Sequence, residues 1–145
     1  VEAGVYRAEV VAAARRWIGT PHVHGAALRG AGCDCLGLIR GLRAELGAPV
    51  PATLPPYPPG WALRGADERL ARALADWLPP AAGPWAPGQV LLFRLRPGAP
   101  AAHLGVLTET GPTMRLVHAY DCHGVVESPL GAPWLRRLAA RFELI

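Results

Sequence analysis

Along the first half of the chain, apolar residues recur at helical spacing. Val10, Val11, Ala14 and Trp17/Ile18 form one stripe within residues 6–18, the pattern of an amphipathic helix that stops at Gly19-Thr20-Pro21. Residues 21–32 are Gly-rich and lack periodicity, so a loop is expected there. A second helix is predicted over residues 34–46, with Asp34 at its N-terminus, Gly47 just past its end and Leu38, Ile39, Leu42 and Leu46 on its apolar face. Residues 48–60 form a Pro-rich connector, read as a stiff, exposed spacer. Helical spacing resumes over 66–78 through Leu70, Leu74, Trp77 and Leu78, and Pro79-Pro80 ends it.

The second half changes character. Residues 89–95, 102–108, 114–120 and 125–128 are short Val- and Leu-rich runs separated by Gly and Pro turns, the signature of strands. A short helix is expected over 133–140 and a closing strand over 142–145. Helices first and strands afterwards predict an α+β fold with an antiparallel sheet rather than a βαβ repeat. At 145 residues the chain is expected to be a single domain, 1–145, with one core. It contains no apolar run long enough for a membrane span, and residues 1–7 do not read as a Sec-type signal.

Composition narrows the function classes. The net charge is +4 and all 15 basic residues are Arg. They are dispersed, with no interleaved aromatic platform, so nucleic-acid binding is not expected. Three Cys residues leave at least one thiol unpaired within the chain, which points to a reactive thiol rather than a disulfide-stapled scaffold.

Candidate chemistry centres on Gly32-Cys33-Asp34-Cys35-Leu36-Gly37. Cys35 falls in the first turn of the second helix, where unpaired N–H groups and the helix dipole favour a thiolate. Residues 38, 39, 42 and 46 lie three, four, seven and eleven positions on, so Cys35 shares their inward face, and Gly37 leaves room for another chain to approach. Cys35 is therefore read as a nucleophile and Asp34 as a helix N-cap first, a substrate contact second. A Cys nucleophile needs a base. His103 and His118 sit on successive predicted strands, where a short antiparallel hairpin brings residues near them face to face. Neither imidazole is assigned to the core. His123 reads as a solvated turn residue and Cys122 as an incidental turn thiol.

Taken in order, Gly19-Thr20-Pro21-His22-Val23-His24-Gly25, Asp34-Cys35-Leu36-Gly37-Leu38, Pro87-Gly88-Gln89-Val90-Leu91, His103-Leu104-Gly105-Val106 and Val117-His118-Ala119 resemble the motifs of NlpC-type, papain-like cell-wall cysteine peptidases. The resemblance covers roughly residues 5–145. Residues 125–129 and 134–137 further resemble the subgroup encoded among phage tail genes and in gene transfer agents. The resemblance implies N-terminal helices packed on an antiparallel, barrel-like sheet, with Cys35 as nucleophile, His103 as base and His118 orienting it. His22 and Asp34 would contact substrate, and no cofactor or metal is implied. The implied substrate is the γ-D-glutamyl–diamino-acid bond of a peptidoglycan stem peptide, and the implied partners are tail hub or baseplate proteins. A phage-like tail would carry the enzyme to the cell wall, which reconciles an extracytoplasmic substrate with the absence of a Sec signal. Two positions depart from the pattern. Many relatives carry Tyr at the position of His22. Relatives often carry Ser, which binds a free substrate amine, at the position of Leu36.

Three alternatives remain open at this stage. His22, His24, Cys33 and Cys35 supply four soft ligands that could hold zinc. The domain could also be a catalytically silent structural part of a tail or cell-wall complex. Acyl transfer to an amine or alcohol could replace hydrolysis.

Overall fold

The computed structural model describes residues 3–50, 58–63 and 67–145. In chain order it runs through α1 (Ala3–Arg16), β1 (Ala27–Leu28), β2 (Gly32–Cys33), α2 (Cys35–Glu45), a 3-10 turn (Trp61–Leu63), α3 (Arg69–Ala75), β3 (Val90–Arg94), β4 (Ala101–Glu109), β5 (Arg115–Tyr120), β6 (Gly124–Pro129), α4 (Ala132–Leu135) and β7 (Leu138–Phe142). Strands β3 to β7 form one five-stranded antiparallel sheet in the order β6-β5-β4-β3-β7. This is the α+β arrangement expected from the sequence.

The two faces of the sheet have separate cores, as period-2 alternation requires. Leu92, Leu104, Val106, Val117 and Ala119 face the helices, where they meet Val10, Ala14 and Trp17 of the α1 region and Leu38, Ile39 and Leu42 of α2. Leu91, Phe93, Leu107 and Leu116 face the other way, against Leu130, Trp85, Trp134 and Leu138. Helix α1 packs closely on α2 because Gly41 has no side chain: a Cβ there would overlap the Trp17 ring. The indole then donates from Nε1 to Glu45 Oε1 at 3.1 Å. Buried Arg43 donates to the carbonyls of Leu144 and Pro49, tying α2 to the C-terminal residues.

Two expectations are corrected. The stretch 21–32 is not all loop, because Ala27 pairs with Cys33 and Leu28 with Gly32 in a small hairpin. The helix expected over 133–140 stops at Leu135, and the last strand is residues 138–142 rather than 142–145. The free edge of β3 decides the matter: Leu92, Leu91 and Val90 pair with Ala140, Arg141 and Phe142, satisfying backbone groups that would otherwise be left buried and unpaired. Of the Pro-rich connector, residues 51–57 lie outside the described residues, as does residue 66 at the start of the predicted third helix.

Candidate active site

Asp34 caps α2 as its residue type predicts. Its Oδ1 accepts from Gly37 N–H at 2.7 Å and its Oδ2 from Gly25 N–H at 2.8 Å. One carboxylate thus holds both the start of α2 and the loop before β1. The chain that approaches Gly37 is this same loop: a Cβ at 37 would overlap the Ala26 carbonyl, and Asp34 N–H donates to that carbonyl at 3.2 Å.

Cys35 is the first residue of α2. It is half-buried, packs against the helix-side core, and its Sγ lies 3.8 Å from the Ala102 carbonyl at the start of β4. Burial, reinforced by the Asp34 carboxylate, pushes the thiol up to about 12, against the opposing pull of nearby N–H groups of Leu104, Leu36 and Cys35 itself. The expectation of a thiolate in the resting protein is therefore corrected. Desolvation outweighs the N-terminal dipole, and the thiol keeps its proton.

His103 and His118 do come together. His103 Nε2 lies 2.7 Å from His118 Nδ1, with the rings edge-on at 71° and their centroids 5.0 Å apart. They meet diagonally. The register pairs Val106 with Val117 and Leu107 with Leu116, which carries Gly105, not His103, to the position beside His118. Glycine matters at 105: a Cβ there would stand 3.3 Å from His118 Cβ, in the space across which the imidazole leans. Contrary to expectation, both imidazoles are core residues, 7% and 2% exposed. Phe93, Tyr120 and Trp134 surround His103, and Tyr120 and Trp134 also flank His118. No carboxylate pairs with either ring among the described residues. Burial pushes His103 down to about 3, helped by His118 and His22, and burial alone takes His118 down to about 4.

A cavity of about 760 Å³ joins these parts. Cys35, His103, Ala102, Asp34 and His22 line it, with Leu36, Trp61, Leu63, Leu70 and Leu95 forming an apolar wall. Among the described residues no hydrogen bond joins Cys35 to His103. The pair with His118 occupies Nε2 of His103, so Nδ1 is the ring nitrogen that this contact leaves over. His22 lies 3.8 Å from Asp121 at the rim, and the exposed His123 and Cys122 sit in the adjoining turn. The sequence reading missed two contributors. Ser128 Oγ lies 3.1 Å from His118 Nε2, and the end of the Pro-rich segment, Pro58 to Gly60, borders the cavity. A serine on a strand carries no signal of its own, and only the strand pairing reveals the first of these.

The zinc alternative loses its geometric basis. Among the described residues no three His, Cys, Asp or Glu side chains gather as a metal site, and His22, His24, Cys33 and Cys35 are all described. All three cysteines are free thiols, with Cys33 buried. No helix among the described residues is long and apolar enough to cross a membrane.

No family model matches the chain, and no curated protein matches it. Among solved structures, one from Staphylococcus aureus, described as similar to a lipoprotein of the NLP/P60 family, superimposes with a TM-score of 0.63 over 100% of this chain at 20% identity. This chain spans 43% of that one. The fold expected from the motifs is the fold the molecule has: a helical half and an antiparallel sheet arranged as in a protein of the NLP/P60 family.

Proposed function

We propose that the chain is a cysteine peptidase that cuts peptidoglycan stem peptides, with Cys35 as nucleophile, His103 as general base and His118 as its orienter. The observation that carries this reading is the 2.7 Å imidazole–imidazole contact in the wall of the same cavity that receives a cysteine from a helix N-terminus. The likeness to an NLP/P60 protein supports the cell-wall theme.

Because the resting thiol and both imidazoles are neutral, proton transfer accompanies attack. His103 Nδ1 takes the thiol proton as Sγ bonds to the substrate carbonyl carbon, and the carbonyl oxygen becomes an oxyanion facing the Cys35 N–H. The imidazolium then gives its proton to the leaving amine as the C–N bond breaks, leaving a thioester. Water, deprotonated by His103, attacks the thioester and releases the acid and the thiol. His118 holds His103 by its Nε2 throughout.

The γ-D-glutamyl–diamino-acid bond is the proposed target, and His22 and Asp34 at the cavity wall are the proposed substrate contacts. Delivery in a phage-like tail, bound to hub or baseplate proteins, is part of the same proposal and rests on residues 125–129 and 134–137. The test is digestion of purified peptidoglycan with mass analysis of the products. Wild type should release fragments cut within the stem peptide, and Cys35→Ala should release none. Identical products from both proteins, or none from either, would refute the reading.

A further inference from the structure

The imidazole pair does not end at His118. The His118 Nδ1 is taken by His103, and its Nε2 lies 3.1 Å from Ser128 Oγ on β6, an edge strand of the sheet. Residue 118 pairs with Val126, and residue 116 with Ser128. Ser128 therefore reaches His118 diagonally on the same face, as His118 reaches His103.

We propose that Ser128 is a positioning residue whose hydroxyl oxygen accepts the His118 Nε2 proton and so sets the tautomer of both imidazoles. A neutral imidazole carries one N–H, so this chain of two contacts has only two proton-ordered arrangements. In the first, Ser128 accepts from His118 Nε2–H. His118 Nδ1 is then bare and accepts from His103 Nε2–H, which leaves His103 Nδ1 bare. In the second, the hydroxyl donates to His118 Nε2. His118 Nδ1–H then donates to His103 Nε2, and His103 Nδ1 carries the proton. Only the first arrangement presents a base to the thiol. Ser128 is half-buried on its edge strand, so its own proton can turn outward to water while a lone pair serves His118. No other protein group contacts His118 Nε2 among the described hydrogen bonds, so the serine is the only described group that can hold that proton in place.

This inference rests on the reading of His103 as a general base, and the experiment separates the two. Long-range nitrogen–proton NMR on the resting, uniformly labelled protein reports the tautomer of each histidine without any substrate. Wild type should have its proton on Nε2 in both His103 and His118. Ser128→Ala should populate the Nδ1–H form of His118 and, with it, of His103, and Ser128→Thr should restore the wild-type state. With peptidoglycan fragments, Ser128→Ala should lower kcat about tenfold, the loss expected for one hydrogen bond, with KM unchanged, and Ser128→Thr should recover it. A proton on Nδ1 of His103 in the wild type, tautomers unmoved by Ser128→Ala, or tautomers that shift with kcat unchanged would each overturn the proposal. A wild type that cuts no stem peptide, with tautomers responding as stated, would instead refute the peptidase reading and uphold the setting of the tautomers by Ser128.

Discussion

Mild acid should destabilise this fold well before its carboxylates titrate. An imidazole in the unfolded chain has a pKa of about 6.5 and is almost fully charged at pH 5. His103 and His118 are held at about 3 and about 4 in the folded protein, chiefly by burial, and remain neutral there. Their folded pKa values lie below the unfolded value, so stability is complete above about pH 6.5 and falls as pH drops through it, levelling off near the folded values. Between pH 7 and pH 5 these two imidazoles take up about 1.5 protons in the unfolded chain that the folded protein refuses, which amounts to a loss of about 2 kcal/mol per imidazole and about 4 kcal/mol together. Glu68 and Glu127, lowered first by their hydrogen bonds to Arg94 and Arg15, add their own losses only further down, so this interval isolates the histidines. Urea denaturation at pH 7, 6 and 5, at constant ionic strength, reads the change from the midpoint at constant m-value. The His103→Asn/His118→Asn variant, compared with itself at pH 7, should lose most of the slope. Equal midpoints for wild type at pH 7 and pH 5, or a slope that survives in the double variant, would refute the assignment of two buried neutral imidazoles.

Other expectations follow from the same geometry. At pH 7 iodoacetamide should alkylate the exposed Cys122 ahead of Cys35, whose labelling should rise about tenfold per pH unit above neutrality because alkylation follows the thiolate fraction; peptide mapping that finds Cys35 modified first would mean that the resting thiol is ionised. His103→Ala should reduce kcat to near background, and His118→Asn, which keeps an acceptor for His103 Nε2–H, should retain more activity than His118→Ala. The double variant His103→Ala/His118→Ala should be little worse than His103→Ala alone, since the two act as one unit; effects that multiply would show two independent groups. Gly37→Ala should cost at least about 2 kcal/mol, because the methyl meets the Ala26 backbone carbonyl rather than a side chain that can turn away; a urea midpoint equal to wild type would contradict that packing.

The elements that the chain announces are those with a long period. Val10, Val11 and Ala14 make a helical face that is buried in the structure, as do Leu38, Ile39 and Leu42, and the strands at 90–94, 101–109 and 115–120 fall where alternation and turn residues put them. What was illegible has a physical cause in each case. The β1–β2 hairpin is two residues per strand, too short for any period. Trp134, Leu135, Leu138 and Phe142 satisfy helical spacing and, from 138 on, alternation as well, and the unpaired edge of β3 decides between them. The pairing of His103 with His118 was legible from their places on successive strands. Its diagonal register was not, because the glycine at 105 makes room only once the strands are aligned. Burial of the two imidazoles depended on Trp134, which arrives from sixteen residues beyond His118, and no local pattern reports that.

The thiol is the instructive disagreement, because the sequence places Cys35 correctly and misjudges its energetics. A helix N-terminus favours a thiolate only while water or an ion pair shares the work. Here the sulfur is set inward against Ala102, beside a carboxylate, and the candidate base His103 has no carboxylate partner among the described residues. Under the peptidase reading, that combination divides the catalytic cycle unevenly. A group with a pKa near 3 is a poor base for a thiol near 12, so proton uptake from Cys35 is the costly part of acylation. The same group, once protonated, is a strong acid toward a leaving amine, so expulsion is easy. The Trp134 ring, tilted by 30° from that of His103 with centroids 5.3 Å apart, is an available stabiliser of the transient imidazolium, together with acceptance by His118. Under the same reading, burial keeps the resting thiol protonated, and Cys35 would become nucleophilic only as a carbonyl arrives to take up the charge.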